Sequence, residues 1–132
     1  MVGLDTNVVI RYIMQDDVRQ AAVANRIFGE ELSLANKGFV SAVVLCEVVW
    51  VLARFYKLGR ENISTTVRTL LRTASLEFEH RECVEQAYRD SNAGSANFAD
   101  CLIGLVNRKC GTSTTLTFDR DASRLEYFRL AQ

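Results

Sequence analysis

The chain contains no proline, only one histidine, His80, and no CxxC pair among its four cysteines, and its formal net charge is zero. These absences exclude several classes of protein. Cys46, Cys83, Cys101 and Cys110 lack the spacing and the histidine partners of a zinc site, so they read as reduced thiols behaving as small hydrophobes. With balanced charge there is no global attraction for nucleic acid, although cations such as Arg11, Arg54, Arg60, Arg108, Arg120 and Arg124 can still form a local basic rim. The longest apolar stretch, Val40 to Ala53, is interrupted by Glu47 and is shorter than the roughly 20 residues of a membrane span. MVGLDTN has no basic region or long apolar run of a signal peptide, so a cytoplasmic protein with no membrane association is expected. There is no Gly/Ser-rich or Pro-rich linker, no repeat and no low-complexity tract, and 132 residues suit a single domain, 1–132, with a proper core.

What the sequence does contain is four acids placed against apolar segments: Asp5 in VGLDTN, Glu47 in SAVVLCEVVWVLARF, Asp100 in ANFADCLIGLV and Asp119 in TTLTFDRD. An unpaired buried carboxylate costs roughly several kcal/mol, on the order of the folding stability itself. Four gathered together would also repel one another. A divalent cation relieves both problems, and hard carboxylate oxygens suit Mg²⁺ or Mn²⁺.

The pattern along the chain alternates short strands with helices. Val2 to Leu4 leads as a strand to Asp5, and a short helix follows to Met14. Asp17 with Gln20 has capping-box spacing, and Val18, Ala21, Ala24 and Phe28 predict an amphipathic helix into the low thirties. Phe39 and Val40 read as a brief strand, with Ser41 capping a helix that runs to about Tyr56 and is apolar nearly all round, hence deeply buried. A second helix from about Glu61 to Thr73 makes a hairpin with it. A strand at Leu76 and Phe78 precedes a helix carrying Cys83, Val84 and Ala87, and Ser91 to Ala96 reads as a loop. Asn97 then caps a helix through about Lys109, Gly111 ends it, and Thr112 to Thr117 and Tyr127 to Leu130 are the last strands. Such alternation predicts a three-layer α/β/α fold with a central parallel sheet and a protruding helical hairpin. Ligands in such folds collect beyond the carboxyl ends of the strands, where all four acids are expected to converge.

LDTNVVIRY, the glutamate of SAVVLCEVVWVL, NFADCLIG and TLTFDRD together resemble the PIN-domain ribonucleases of the VapC toxin type, over the whole chain and in the expected order. The resemblance implies an endoribonuclease requiring Mg²⁺ or Mn²⁺, which cleaves RNA, inhibits translation and growth, forms homodimers and is neutralised by a cognate VapB-like antitoxin. It implies that Asp5, Glu47, Asp100 and Asp119 are the catalytic acids and metal ligands, with Glu47 binding metal or polarising the attacking water. Thr6, Asn7 and Thr117 match small polar positions that orient those carboxylates, and Asn97 shares a helix face with Asp100. In the family's usual scheme, in-line attack leaves a 5′-phosphate and a 3′-hydroxyl.

Each acid also has a purely structural reading. Asp5 can cap its own helix, Asp100 can pair with Arg108, and Asp119 can be a turn residue. Glu47 resists such a reading, because Val43, Val44, Val48 and Val51 leave it little exposed face. Asp121 can replace Asp119 or share its role, but it better suits the N-cap of a short helix through Ala122 and Leu125. Arg120 touches a phosphate or forms a surface ion pair. Trp50, Phe55, Phe78 and Tyr88 read as core or interface. Two other functions fit the pattern less well: a PIN ribonuclease of RNA processing or decay, and a non-enzymatic Mg²⁺-binding receiver-like signalling module. The latter usually has adjacent acids after its first strand and a lysine after its last, and this chain has neither.

Overall fold

A computed structural model describes residues 1–132, which form two compact units, Met1–Glu79 and His80–Gln132. In the first unit the order is β1 (Val2–Gly3), α1 (Thr6–Met14), α2 (Val18–Arg26), a π-helical turn (Ile27–Glu31), β2 (Gly38–Val40), α3 (Ala42–Arg54), α4 (Arg60–Leu71) and β3 (Leu76–Phe78). The strands form a parallel sheet in the order β1-β2-β3, with Val2 opposite Gly38 and Val40 opposite Phe78. Leu4 N–H donates to Phe39 C=O at 2.9 Å, so the β1 ladder carries on almost to Asp5.

Local chemistry sets the helix starts of this unit. Asp17 accepts from Gln20 N–H at 2.9 Å and Ser41 Oγ accepts from Val44 N–H at 3.2 Å, as their spacing predicts. The Glu79 carboxylate, just past β3, accepts from Ala42 N–H at 2.8 Å and adds an anion where the partial positive charge of α3 is concentrated. Val9, Ile10, Leu45, Val48, Leu52, Val67 and Leu76 are almost fully buried.

The expectation that α3 is buried all round is corrected. Val43, Glu47, Trp50 and Arg54 recur at helical spacing as one exposed stripe, with Val43 77% and Trp50 59% exposed. The Arg54 guanidinium lies 5.9 Å from the Trp50 ring centroid, covering part of that apolar face. The stripe escaped sequence reading because a helix with apolar residues on every side carries no period to mark its wet face.

The second unit contains α5 (Arg81–Ala93), α6 (Phe98–Lys109), β4 (Thr115–Thr117), a 3₁₀ turn (Ala122–Arg124) and β5 (Phe128–Leu130). Strands β4 and β5 pair in parallel, with Leu116 opposite Arg129. Helices α5 and α6 pack on each other. The predicted loop at Ser91 is instead the last turn of α5, which runs to Ala93, with Ser91 buried and donating to Tyr88 C=O at 3.1 Å. Gly111 ends the region of α6 as expected, with φ of 102° that only glycine adopts freely. Gly104, inside α6, has a different purpose. A Cβ there would lie 2.5 Å from the Phe128 ring and 2.6 Å from the Tyr127 ring, so glycine alone permits the close approach of α6 to those aromatics. The Tyr127 hydroxyl donates to Asp90 at 2.7 Å, and burial together with that bond pushes its pKa far up, keeping the phenol neutral.

All strand pairing is parallel, as expected, and it runs in two ladders, β1-β2-β3 and β4-β5. All four cysteines are free thiols. No helix is long and apolar enough to cross a membrane.

Candidate active site

In the first unit Asp5 follows directly on the β1 ladder and is the N-cap of α1, its side chain accepting from Thr6 N–H at 2.8 Å. The structural reading of Asp5 is therefore realised, and the cap fixes the carboxylate at the strand end. Thr6 itself is buried, and its hydroxyl donates to Glu47 Oε1 across 41 positions of sequence. One residue thus binds Asp5 through its backbone and Glu47 through its side chain, holding the two acids at one place on this unit. Glu47 is exposed on the α3 stripe, which corrects the expectation of a carboxylate enclosed by valines. Asn7 is exposed and lines a groove of about 360 Å³ with Arg11, Arg19 and Val23 of α1 and α2; no hydrogen bond joins it to either acid.

In the second unit Asp100 occupies the first turn of α6 and is half-buried. Burial raises its pKa above the ordinary carboxylate range, and the negative charge of Asp119 raises it further. The two carboxylates are therefore close enough to repel each other. No cation answers them: Arg108 bonds Glu126 at 3.1 Å and stacks over Tyr127, so the Asp100–Arg108 pairing does not form. The partial positive charge of the α6 N-terminus is the compensation on hand. Asn97 stands at the N-cap of α6 but makes no side-chain capping bond there.

Asp119 is exposed and held from both sides. Its N–H donates to Thr117 Oγ1 at 3.0 Å, and its Oδ1 accepts from Ala122 N–H at 2.8 Å. The expected division of labour between Asp119 and Asp121 is thus reversed at the cap. Asp119 closes the 3₁₀ turn, while Asp121 makes no capping bond and instead meets Ser95 at 2.8 Å and Arg124 at 3.4 Å. Asp121 is occupied by these partners, whereas Asp119 is the acid that acts on Asp100. Arg120, expected in a surface ion pair, is exposed and forms none.

No group of three or more His, Cys, Asp and Glu side chains is arranged to hold a metal ion. The donor chemistry nevertheless fits a hard divalent cation: Asp100 and Asp119 are all-oxygen, mutually repulsive and unneutralised. Mg²⁺ characteristically keeps several waters and takes one or two carboxylates together with substrate phosphates, so a carboxylate pair is a sufficient protein contribution.

Parallel strands alternating with helices, and acids set just past the ends of β1 and β4, define an α/β protein of a particular class. The PIN domain family profile matches residues 2–126, and the chain belongs to that family. Six helices and strands paired only in parallel accord with its three-layer α/β/α class. A relative from Aquifex aeolicus (strain VF5), described as a VapC ribonuclease, is 28% identical over 125 residues, covering 94% of this chain and 91% of its own length.

Proposed function

We propose that this chain is a single PIN domain acting as an Mg²⁺- or Mn²⁺-dependent endoribonuclease of the VapC toxin type. The observation that carries the reading is Asp100, half-buried, without a cationic partner and repelled by Asp119. Such a carboxylate opposes folding at neutral pH, and its presence is explained if a cation is what it serves. The name of the Aquifex aeolicus relative supports RNA as the substrate.

A bound divalent cation supplies Lewis-acid stabilisation of charge on the phosphate and the leaving oxygen. The residues of the chain divide the remaining work. Asp100 and Asp119 hold the cation, and Thr117 fixes the backbone from which Asp119 projects. Asp5 contributes a third carboxylate, locked by its cap. Glu47 either adds a ligand or takes a proton from the attacking water, and the Thr6 hydroxyl fixes one of its oxygens. Asn7 and Asn97 remain candidates for orienting these groups.

The same reading carries partners. A VapB-like antitoxin neutralises the enzyme by lying across residues 41–73 and bringing an arginine to the acids, where it competes with the cation. The toxin acts in the cytoplasm as a homodimer. A PIN ribonuclease of RNA processing or decay shares the chemistry, and finding a gene for a short DNA-binding antitoxin just upstream would decide for the toxin.

Cleavage of total RNA by the purified chain, with Mg²⁺ or Mn²⁺, with chelator, and with Asp100→Asn as the matched control, tests the proposal. Discrete products that require metal and vanish in the variant are expected. Equal behaviour of wild type and variant across metals and structured RNAs would contradict it.

A further inference from the structure

The seven Lys and Arg side chains of His80–Gln132 divide unevenly between paired and unpaired. Arg81 pairs with Glu85, Arg89 with Gln86, Arg108 with Glu126, Lys109 with Glu82, and Arg124 with Asp121. Arg120 and Arg129 alone have exposed guanidiniums with neither an ion pair nor a side-chain hydrogen bond. Their location is specific. Arg129 is the register partner of Leu116 on β5, so the two side chains stand beside each other on one side of the β4–β5 ribbon. Leu116 is exposed, and Phe118, two residues further on, is 86% exposed, the most exposed aromatic side chain in the chain. Arg120 follows Phe118 after a single residue, and that residue is Asp119.

A single exposed apolar side chain requires no explanation. Here an exposed aromatic ring and an exposed aliphatic side chain share the short segment 116–120 with one unpaired guanidinium and have the other at the register position opposite Leu116, on the segment that carries a proposed catalytic acid. That combination selects among occupants. A second copy of the chain meeting this face through a two-fold contact would bring two unpaired arginines from each copy together, with the single carboxylate of Asp119, already held by Thr117 and Ala122, to set against them. A polyanion with flat aromatic faces meets the two guanidiniums with its phosphates and the ring with its bases. Single-stranded nucleic acid is bound by stacking bases on aromatic side chains while cations track the phosphates.

We propose that Leu116, Phe118, Arg120 and Arg129 form a seat for the single-stranded RNA flanking the bond to be cut. Phe118 stacks a base, Leu116 supports the base or its ribose, and the two guanidiniums hold phosphates. The proposal rests on the ribonuclease reading for the identity of the substrate. It assigns to this ribbon the binding of nucleotides next to the reacting phosphate and the setting of register, because Asp119 lies between Phe118 and Arg120. Stacking tolerates every base, so the seat favours unpaired over duplex RNA rather than one sequence over another.

The test uses the full chain and a short fluorescein-labelled unstructured RNA, with binding followed by anisotropy in chelator and cleavage followed with Mn²⁺. Phe118→Ala is expected to weaken binding about five- to hundredfold, with Phe118→Trp restoring most of it. The double variant Arg120→Ala/Arg129→Ala is expected to lower the slope of log Kd against log salt by about 0.7 for each lost phosphate contact. Both changes should raise KM more than they lower kcat. All these side chains are exposed, so melting curves should superimpose on wild type. Wild type that cleaves RNA while both variants keep its Kd, KM and salt slope overturns the seat and leaves the nuclease reading standing. Wild type that fails to cleave with either metal, yet loses RNA affinity in these variants, overturns the nuclease reading and supports the seat. Variants that change the sedimentation of the protein but not its RNA affinity assign the face to a second copy and overturn the proposal.

Discussion

The two units hold their acids in opposite ways. In Met1–Glu79 both carboxylates are satisfied by donors from one residue: Asp5 caps Thr6 N–H, and Glu47 accepts the Thr6 hydroxyl. In His80–Gln132 the exposed Asp119 is anchored by Thr117 and Ala122, but Asp100 is left half-buried with no cation and a like charge nearby. Neutral donors orient a carboxylate without discharging it. Burial beside another carboxylate, by contrast, stores an electrostatic demand that a cation can meet. The first arrangement prepares geometry and the second prepares affinity, and the account requires both.

The largest expected effect breaks the second arrangement. Asp100→Asn or Asp119→Asn should lower the kcat of metal-dependent RNA cleavage by on the order of 10²–10³, measured under saturating Mn²⁺. Asp121→Asn should leave it within about twofold, because Asp121 is engaged with Ser95 and Arg124.

Next comes the first arrangement. Thr6→Val keeps the shape of the side chain and removes the hydroxyl, leaving Glu47 without its donor. Cleavage should fall about 10- to 100-fold, as for other residues that orient a catalytic carboxylate, and Thr6→Ser should recover most of the loss. Equal rates for the valine and serine variants would show that the hydroxyl does not position Glu47.

A smaller effect falls on the scaffold of the second unit. Gly104→Ala places a methyl group against the Phe128 and Tyr127 rings, both too close for a real Cβ. Overpacking of this kind costs about 1–3 kcal/mol and should lower Tm by roughly 5–10 °C in a calorimetric scan.

The smallest effect sharpens the contrast between the units. The raised pKa of Asp100 means that the folded protein holds that proton more tightly than the unfolded chain, whose ordinary value is 3.8. As pH rises from that value through the raised one, stability is lost, and at neutral pH the full penalty is present. Asp100→Asn removes the penalty, so with chelator its Tm should exceed that of wild type by a few degrees at pH 7, an advantage that disappears near pH 3.5. A variant that loses activity while gaining stability is the behaviour expected of a functional carboxylate.

Much of this arrangement was legible in the chain because it is local. Ser41, and Asp17 with Gln20, announce their helices by spacing, and Gly111 marks the end of its helix region. The acids declare themselves by standing beside apolar runs. What was illegible depends on contacts distant in sequence or on competition within a turn. The Thr6–Glu47 bond joins residues 41 positions apart. The wet stripe on α3 has no periodic mark, so Glu47 looked enclosed when it is exposed. Asp119 and Asp121 both have the chemistry of a cap, and only the path of the turn decides that Asp119 reaches the Ala122 N–H. The pairing of Arg108 with Glu126 rather than with Asp100 required the α6 helix end and the segment before β5 to be seen together.

Binding of Mn²⁺ to the metal-free protein, followed by the electron paramagnetic resonance signal of the free ion, tests most directly the claim that Asp100 and Asp119 answer to a cation. The account predicts saturable binding by wild type, a loss of tenfold or more in affinity for Asp100→Asn and for Asp119→Asn, and unchanged affinity for Asp121→Asn. Equal Mn²⁺ affinity in all four proteins would contradict it.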